Sequence, residues 1–212
     1  MYQFLPAAGF SDALAKTQTM DAGMKCITPG KTVIGPAYTV EAYPTGIITC
    51  HKALGEVPAG CVLVIDGQGD PNGAMWGELT SMEAMQKGVL GVVVDGAVRD
   101  VASVRELGFP VWARHITPRV GSNRTVGTTG GTVVCGGVAV RTGDLIVADD
   151  DGVVVVPQER IAEIVAKTEA IEVKEVDMAA KVKAGGHIAD MIGMSALIAE
   201  ADAAAKKAQG GK

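Results

Sequence analysis

The sequence is poor in aromatic residues, which occupy 4% of its 212 positions, and it contains no run of lysine or arginine. Its formal net charge at pH 7 is -5. Proteins that bind nucleic acid non-specifically need a basic surface that neutralises phosphates. The acidic balance therefore argues against a nucleic-acid partner, and the few aromatics indicate a core of aliphatic and small residues.

Long apolar runs are also missing. No stretch approaches the roughly 20 residues that a membrane helix needs, and residues 1–16 lack a basic segment followed by a long apolar one. We therefore expect a cytoplasmic protein without a membrane partner. The four cysteines form no CxxC pair, so neither a zinc knuckle nor a redox motif is indicated, and we interpret them as small hydrophobic residues.

The residues that are abundant suit a layered α/β fold. Hydrophobic residues make up 48% of the chain and glycines number 28, which indicates short strands joined by tight turns. No linker-like segment divides the chain, so we predict one domain over residues 1–212, with C-terminal helices over 158–206.

Strand and helix patterns alternate in the first part of the chain and change after residue 125. The first predicted elements are a helix from Ser11-Asp12 to Lys16, strands over 33–43 broken at Gly35-Pro36, a helix over 47–54 and a strand over 61–65. They are followed by a helix ended by Gly88, a strand over 89–94 that meets a turn at Asp95-Gly96, a helix over 101–107 and a strand over 111–113. The last part of the chain is predicted to form antiparallel or mixed strands in 132–157, a long helix after Pro157 and a last helix over 188–205.

The glycine-rich segment 67–73 follows a strand and precedes a helix, an order that imitates a dinucleotide-binding unit. The spacing fits that motif poorly, because Gly73 lies before the helix and Pro71 stiffens the loop. A wide turn without a ligand is the plainer interpretation. The free amides at the helix start near Glu78 attract a carboxylate as readily as a phosphate, which points to an organic acid.

An acid and an arginine-aspartate pair are the best lead to function. Twenty residues separate Glu78 from Arg99, and Asp100 follows directly. A carboxylate can hold a divalent cation while a neighbouring guanidinium holds an anionic substrate. The plainer alternative is that Arg99 and Asp100 form a helix cap and a surface ion pair.

The segment WGELTSMEAMQKGVLGVVVDGAVRDVASVRELGFPVWARHITP carries a family pattern: an acid, twenty residues, Arg-Asp, two residues and a further position that is usually an acid. It resembles the family of class II 4-hydroxy-4-methyl-2-oxoglutarate / 4-carboxy-4-hydroxy-2-oxoadipate aldolases and proteins similar to the regulator of ribonuclease activity A. The flanking segments HKALGEVPAGCVLVIDG and CGGVAVRTGDLIVADDDGVVVVP resemble it too.

This resemblance implies an α/β fold, a single α/β/β/α layered domain of the swivelling type with a long C-terminal helical segment, assembled as a trimer or hexamer. It implies that Mg²⁺ or Mn²⁺ binds at Asp100 and that Glu78 supports the water around the metal. Arg99 would contact a 2-oxo acid, whose carboxylate would lie on the backbone at Gly77, Leu79 and Thr80. An acid of a neighbouring subunit, Glu175 or else Glu172, would complete the metal site.

Residue 103 departs from the pattern, because it is a serine where the motif has its closing acid. Retro-aldol cleavage needs a base for the 4-hydroxyl, whereas oxaloacetate decarboxylation does not. The resemblance thus implies a metal-dependent lyase in which decarboxylation is the safer prediction. The alternative is a non-catalytic binding protein like the ribonuclease regulator.

For His51 and the acidic triplet, the sequence predicts structural roles rather than catalytic or metal-binding ones. We expect His51 to be structural or to lie at a subunit contact, and we identify no partner for His115 or His187. The acidic triplet 149–151 lacks the spacing of a calcium loop and is interpreted as a turn between two strands.

Overall fold

The structure, a computed structural model, describes residues 5–209. The chain forms two compact units, Met1–Thr168 and Glu169–Lys212. The first unit is mixed α/β and the second is helical. The assignment of residues 1–212 to one domain stays a prediction. No helix within the described residues is long and apolar enough to cross a membrane.

Within the described residues, ten strands lie in the first unit, and all but two of them belong to one mixed sheet. The strands are β1 (Lys25–Cys26), β2 (Val33–Glu41), β3 (Val62–Trp76), β4 (Gly91–Val98), β5 (Val111–Ile116), β6 (Thr128–Thr129), β7 (Thr132–Cys135), β8 (Val138–Arg141), β9 (Leu145–Asp149) and β10 (Gly152–Val156).

The helices of the first unit connect the parallel strands and flank the sheet. They are α1 (Ala7–Ala13), α2 (Ile47–Glu56), α3 (Glu78–Gln86), α4 (Val101–Leu107), a short 3-10 helix (Gln158–Arg160) and the beginning of α5 (Ile161–Lys183).

The main sheet has the order β1-β5-β4-β3-β2-β9-β10, and β6 pairs with β2. Strands β2 to β5 pair in parallel, while β1, β9 and β10 pair antiparallel with their neighbours. The hairpin of β7 and β8 forms a separate sheet. The antiparallel strands predicted after residue 125 are therefore confirmed.

Alternating side chains on the strands build the layers. In β3, Leu63 and Ile65 face one core, which contains residues of α2, α3 and α4, whereas Val62 and Val64 face a second core shared with β7 to β10. The far side of β9 and β10 packs against α1 and the start of α5 in a third core. Three cores between four layers produce the predicted order of helices, sheet, sheet and helices.

Two predicted strand breaks are wrong. Strand β2 continues through Gly35-Pro36, because its first part pairs with β9 and its second part with β3. Strand β4 likewise continues through Asp95-Gly96 to Val98. The carboxylate of Asp95 accepts hydrogen bonds from Arg114 and from the amide of Gly136, so a residue that favours turns is held inside a strand by tertiary partners.

The glycine-rich segment 67–73 is part of β3, not a separate loop before a helix. The pairing of β3 with β4 shifts register three times between Asp66 and Trp76. Gln68 and Gly69 have φ angles of 58° and 68°, a left-handed conformation that breaks the regular ladder. A Cβ atom at Gly67 would approach the carbonyl oxygen of Asp95 to 2.8 Å, so the two strands need a glycine here.

The helix predicted to start at Ser11-Asp12 is also wrong in its position. Helix α1 begins at Ala7, after Pro6, and contains Ser11 and Asp12 in its interior. Phe10 and Leu14 are buried on the core formed with β9 and β10, and this apolar packing determines where the helix lies.

The second unit contains the rest of α5, then α6 (Ile188–Met191) and α7 (Ser195–Gln209). The long helix ends before Gly185-Gly186, as predicted. The single helix predicted over 188–205 is interrupted, because Gly193 adopts a φ of 74° between α6 and α7.

A charged cluster fastens the segment before β1 to the sheet. Arg114, on β5, donates hydrogen bonds to Asp95 and to both carboxylate oxygens of Asp21. The Asp95 side chain is 9% exposed and that of Asp21 is 45% exposed. The hydrogen bonds from Arg114 lower the pKa of Asp21 below its ordinary value.

Replacing Arg114 with Met should lower the free energy of unfolding by about 3 kcal/mol, because it leaves the buried Asp95 carboxylate without its cation. Asp21→Asn should cost no more than about 1 kcal/mol, because that pair is more exposed. A lowered carboxyl pKa stabilises the fold above the ordinary aspartate pKa, so the Asp21 contribution should be lost as pH falls below about 4. Urea unfolding of the two variants measures both losses of unfolding free energy. Equal losses would contradict this ranking.

Candidate functional site

The candidate site lies where β3 and β4 end. Trp76 and Val98 are the last residues of these parallel neighbours and pair with each other. The amide of Arg99 donates to the carbonyl of Trp76 at 3.0 Å. Each strand then turns directly into a helix, so the starts of α3 and α4 meet at one edge of the sheet, where open α/β sheets commonly bind ligands.

Asp100 links the two helix starts. It adopts a left-handed conformation, with φ of 54°, as the residue before α4. Its Oδ2 lies 3.3 Å from Nε of Arg99 and accepts a long hydrogen bond, 3.4 Å, from the amide of Glu78. Left-handed backbone is uncommon for a residue other than glycine and marks a position held by its surroundings.

The start of α3 presents amide groups that its own helix does not use. The amide of Gly77 donates to the hydroxyl of Thr80 at 2.9 Å, and the carbonyl of Gly77 accepts from the hydroxyls of Thr80 and Ser81. The amides of Leu79 and Thr80 have no carbonyl acceptor within the helix. They form a donor pair at the positive end of the helix dipole, which favours an anion.

A cavity of about 150 Å³ opens between these elements. Its polar wall consists of the start of α3 with Arg99 and Asp100, and its apolar wall comes from α2 and the chain near Val120. The lining residues are Ile47, His51, Ala74, Met75, Trp76, Gly77, Glu78, Leu79, Thr80, Arg99, Asp100 and Val120.

The wall of the cavity is fixed by hydrogen bonds. The indole of Trp76, which is 2% exposed, donates to the Ser81 hydroxyl at 2.9 Å. The amide of Ile47 donates to the carbonyl of Ser122, and the amide of Ala74 donates to the carbonyl of Arg119. Helix α2 and segment 119–122 are thereby attached to the strand end. Trp76 is therefore both a core residue and part of the cavity wall.

Ser103 lies in an adjoining cleft of about 280 Å³, which is lined by Glu78, Ser103, Glu106 and Leu107. Glu78 lines both this cleft and the smaller cavity. An acid at position 103 would therefore lie beside Glu78, at the border of the cavity.

The donor set fits one kind of metal. Within residues 5–209 no group of three or more His, Cys, Asp or Glu side chains is arranged to hold an ion. Two carboxylates, Glu78 and Asp100, line the cavity. Mg²⁺ takes one or two carboxylates and keeps several waters, and Mn²⁺ also prefers oxygen ligands. The residues of this chain fit a largely hydrated hard cation.

The structure thus brings together six residues that the sequence singled out, Gly77, Glu78, Leu79, Thr80, Arg99 and Asp100. Glu175 is exposed on the part of α5 that belongs to the second unit. In the same unit, the Glu172 carboxylate has a raised pKa because burial disfavours its charge and Glu175 adds repulsion. A metal-binding role for either acid in a neighbouring subunit stays a prediction.

His187 and the acidic triplet have structural partners. His187 caps α6, where its Nδ1 accepts from the amide of Ala189, and His115 lies on β5. Asp149 accepts from the amides of Ala7 and Asp151, and Asp150 accepts from Gly30. The interpretation of residues 149–151 as an acidic turn between strands is confirmed.

His51 is a residue of the cavity wall, and its expected role, structural or at a subunit contact, stays a prediction. It lies one turn after Ile47 on α2, and both residues line the cavity. The spacing of four residues shows that the two side chains share a helix face. Nothing in the sequence shows that this face borders the strand ends.

Comparison with known proteins finds similarity over most of the chain. The RraA-like family, described as Aldolase/RraA, matches residues 7–155. A "Putative 4-hydroxy-4-methyl-2-oxoglutarate aldolase" of Halalkalibacterium halodurans is 34% identical over 166 residues, 78% of this chain and 79% of the relative. Protein DlpA of Legionella pneumophila is 34% identical over 190 residues, which are 87% of this chain but 30% of DlpA.

Solved structures share the fold. An uncharacterized protein from Pseudomonas syringae matches with a TM-score of 0.81 and 29% identity, covering 88% of each chain. The RNA-processing inhibitor RraA from Thermus thermophilus matches with a TM-score of 0.65 and 29% identity, covering 71% of this chain and 92% of that one. The predicted fold class is confirmed.

The contact between Gly77 and Asp100 can be tested by adding one methyl group. A Cβ atom at Gly77 would lie 2.6 Å from Oδ2 of Asp100 and 3.1 Å from Cγ of Arg99. Gly77→Ala should therefore displace Asp100 and lower the free energy of unfolding by about 1–3 kcal/mol, the usual cost of overpacking. Urea unfolding and a crystal structure of the variant measure the two effects.

Gly55→Ala is the matched control. Gly55 lies in α2, and a Cβ atom added there would have no neighbouring atom within 4 Å. Alanine should therefore stabilise the protein by up to about 1 kcal/mol through helix propensity. The expected contrast fails if Gly77→Ala is as stable as the parent and Asp100 stays in place.

Proposed function

Because the chain belongs to the RraA-like family, we propose that it is a lyase that acts on 2-oxo acids with a divalent metal, Mg²⁺ or Mn²⁺. The substrates in this proposal are oxaloacetate, which is decarboxylated, and 4-hydroxy-4-methyl-2-oxoglutarate-type acids, which undergo retro-aldol cleavage. The single observation that carries the proposal is the meeting of Arg99, Asp100 and the free amides of α3 at one cavity.

The anion-binding half of the site belongs to Arg99 and α3. The amides of Leu79 and Thr80, at the helix start after Gly77, receive the substrate carboxylate in this proposal. Arg99 binds the 2-oxo group with a charge-assisted hydrogen bond. These donors are fixed in advance by the strand ends, so they favour the negative charge that develops on the 2-oxo oxygen as the C3–C4 bond breaks.

Asp100 is the proposed metal ligand of this chain, and Glu78 orients water beside it. A bound divalent cation would supply Lewis-acid polarisation of the 2-oxo acid. Arg99 also compensates the charge of Asp100. We include Glu175 of a neighbouring copy as a further ligand, which makes a trimer or hexamer part of the proposal.

Proton handling divides the two reactions. In oxaloacetate decarboxylation the bonding electrons of C3–C4 form a C2–C3 double bond while the π electrons of the 2-oxo group move onto its oxygen, and carbon dioxide leaves. C3 of this enolate then takes a proton, which gives pyruvate. Retro-aldol cleavage also requires a group that removes the proton of the 4-hydroxyl. Ser103 is not basic, so decarboxylation is the favoured activity.

Incubation of the protein with oxaloacetate and Mg²⁺ should release pyruvate faster than Mg²⁺ alone, and a chelator should stop the reaction. Asp100→Asn should lower kcat/KM by about 100-fold or more, since the polarisation lost is worth several kcal/mol. Pyruvate release measured with a coupled enzyme provides the rates.

Lys87→Gln is a suitable control, because Lys87 pairs on the surface with Glu83 and lies outside the cavity. Its rate should match that of the parent. The proposal is overturned if no 2-oxo acid is turned over above the rate with metal alone.

Ser103→Glu should raise retro-aldol turnover of 4-hydroxy-4-methyl-2-oxoglutarate by about 100-fold, within the usual range for a general base. Oxaloacetate decarboxylation should change little, because it needs no such base. Parallel assays on the two substrates measure the ratio. Ser103→Gln adds similar bulk without a base, and an equal gain in that variant would count against the assignment.

A second candidate function is a binding protein that regulates another enzyme. It is favoured by the likeness to the RNA-processing inhibitor from Thermus thermophilus and by the serine at position 103. Co-purification with a ribonuclease, together with the absence of turnover, would support it.

A further inference from the structure

The carbonyl group of Gly77, directly before α3, accepts three hydrogen bonds. They come from the amide of Ser81 at 3.1 Å, from the hydroxyl of Ser81 at 2.8 Å and from the hydroxyl of Thr80 at 2.9 Å. A helix by itself supplies only the first of these, from the amide four residues later. The two hydroxyls therefore hold this carbonyl more firmly than the helix alone would.

Trp76 determines where the Ser81 hydroxyl points. The indole Nε1 of Trp76 donates to Oγ of Ser81 at 2.9 Å, and an indole nitrogen can only donate. Ser81 therefore accepts from Trp76 and gives its own proton to the carbonyl of Gly77. Both side chains are buried, and the Trp76 ring is stacked on Phe109 with the ring centroids 6.3 Å apart. The donor to Gly77 is thus fixed in direction by a side chain that is itself held in the core.

The peptide bond between Gly77 and Glu78 carries this orientation to Asp100. In a trans peptide the carbonyl and the amide point in opposite directions within one plane, and no peptide bond within residues 5–209 is cis. Because Ser81 draws the carbonyl of Gly77 towards α3, the amide of Glu78 points away from the helix. It donates to Oδ2 of Asp100 at 3.4 Å.

In the described part of the chain, two long contacts hold the carboxylate of Asp100. One is the bond from the amide of Glu78, and the other is the 3.3 Å approach of Nε of Arg99. Both exceed the usual length of such hydrogen bonds, and the Asp100 side chain is 38% exposed. The direction of the carboxylate therefore depends on how accurately the Glu78 amide is aimed.

On the basis of the proposed function, we propose that Ser81 is a positioning residue for the metal ligand Asp100. It acts through the Gly77–Glu78 peptide, and Trp76 fixes the direction of its hydroxyl. Ser81 does not line the cavity, so it contacts neither substrate nor metal. Residues that orient a metal ligand commonly affect metal affinity nearly as strongly as the ligand itself.

Ser81→Ala removes this hydroxyl and should weaken Mn²⁺ binding about tenfold, the lower end of the usual cost of losing a group that orients a ligand. Titration of the full-length protein with Mn²⁺, followed by the electron paramagnetic resonance of the free ion, measures the affinity. Ser81→Cys, whose thiol is a weak donor, should retain part of it. A crystal structure of metal-free Ser81→Ala should show the Glu78 amide farther than 3.4 Å from Oδ2 of Asp100.

Thr168→Val is the matched control. The Thr168 hydroxyl is buried and donates to the carbonyl of Ile164, four residues earlier, at 2.9 Å. Ser81 makes the same kind of bond to Gly77. Both variants should lower the urea midpoint, because each loses a buried hydrogen bond, but Thr168→Val should bind Mn²⁺ as the parent does.

The inference is overturned if Ser81→Ala binds Mn²⁺ as tightly as the parent, if Thr168→Val weakens binding equally, or if the contact between Glu78 and Asp100 is unchanged in the Ser81→Ala structure. Pyruvate release from oxaloacetate by the unaltered protein is followed separately. Release and Mn²⁺ binding with no effect of Ser81→Ala would overturn the positioning role alone. Absence of both release and Mn²⁺ binding in the unaltered protein would overturn the proposed function, and the positioning role with it.

Discussion

The parallel pairing of β3 with β4 is the constraint on which the site depends. The hydrogen bond from the amide of Arg99 to the carbonyl of Trp76 sets both strand ends at the same level. Helix α3 and helix α4 then begin side by side, and a carboxylate at the start of one reaches an amide at the start of the other. A slip of one residue in the pairing of β3 with β4 would move Arg99 and Asp100 away from the start of α3.

The close approach at Gly77 follows from this pairing. Only a residue without a side chain leaves room for the Asp100 carboxylate at its present position, so the start of α3 and the proposed metal ligand are in direct contact. The cavity is small because buried side chains such as Trp76 fill the space behind it. Binding selectivity in so small a space depends on few donors.

Local sequence patterns predicted the elements with strong periodicity and failed where distant partners decide. The helix over 101–107 was predicted with its observed bounds, because Gly108, which ends it in a left-handed conformation, is recognisable in the sequence. Asp95-Gly96 was predicted as a turn, yet it is strand, because Arg114 and the amide of Gly136 satisfy the buried carboxylate. Gly35-Pro36 was predicted as a break, yet β2 passes through it by changing partners from β9 to β3. Secondary-structure propensity is a weak predictor of strands wherever such long-range hydrogen bonds form.

The sequence by itself determined the family, the α/β class and the residues around the Arg-Asp pair, because their types and spacing are local properties of the chain. It also showed that a serine stands where the motif has an acid. Only the tertiary structure decided that His51 borders the cavity and that Glu78 lies between the cavity and the cleft at Ser103. The reason is that both facts depend on how separate elements pack, and no spacing along one chain segment encodes the distance between two of them.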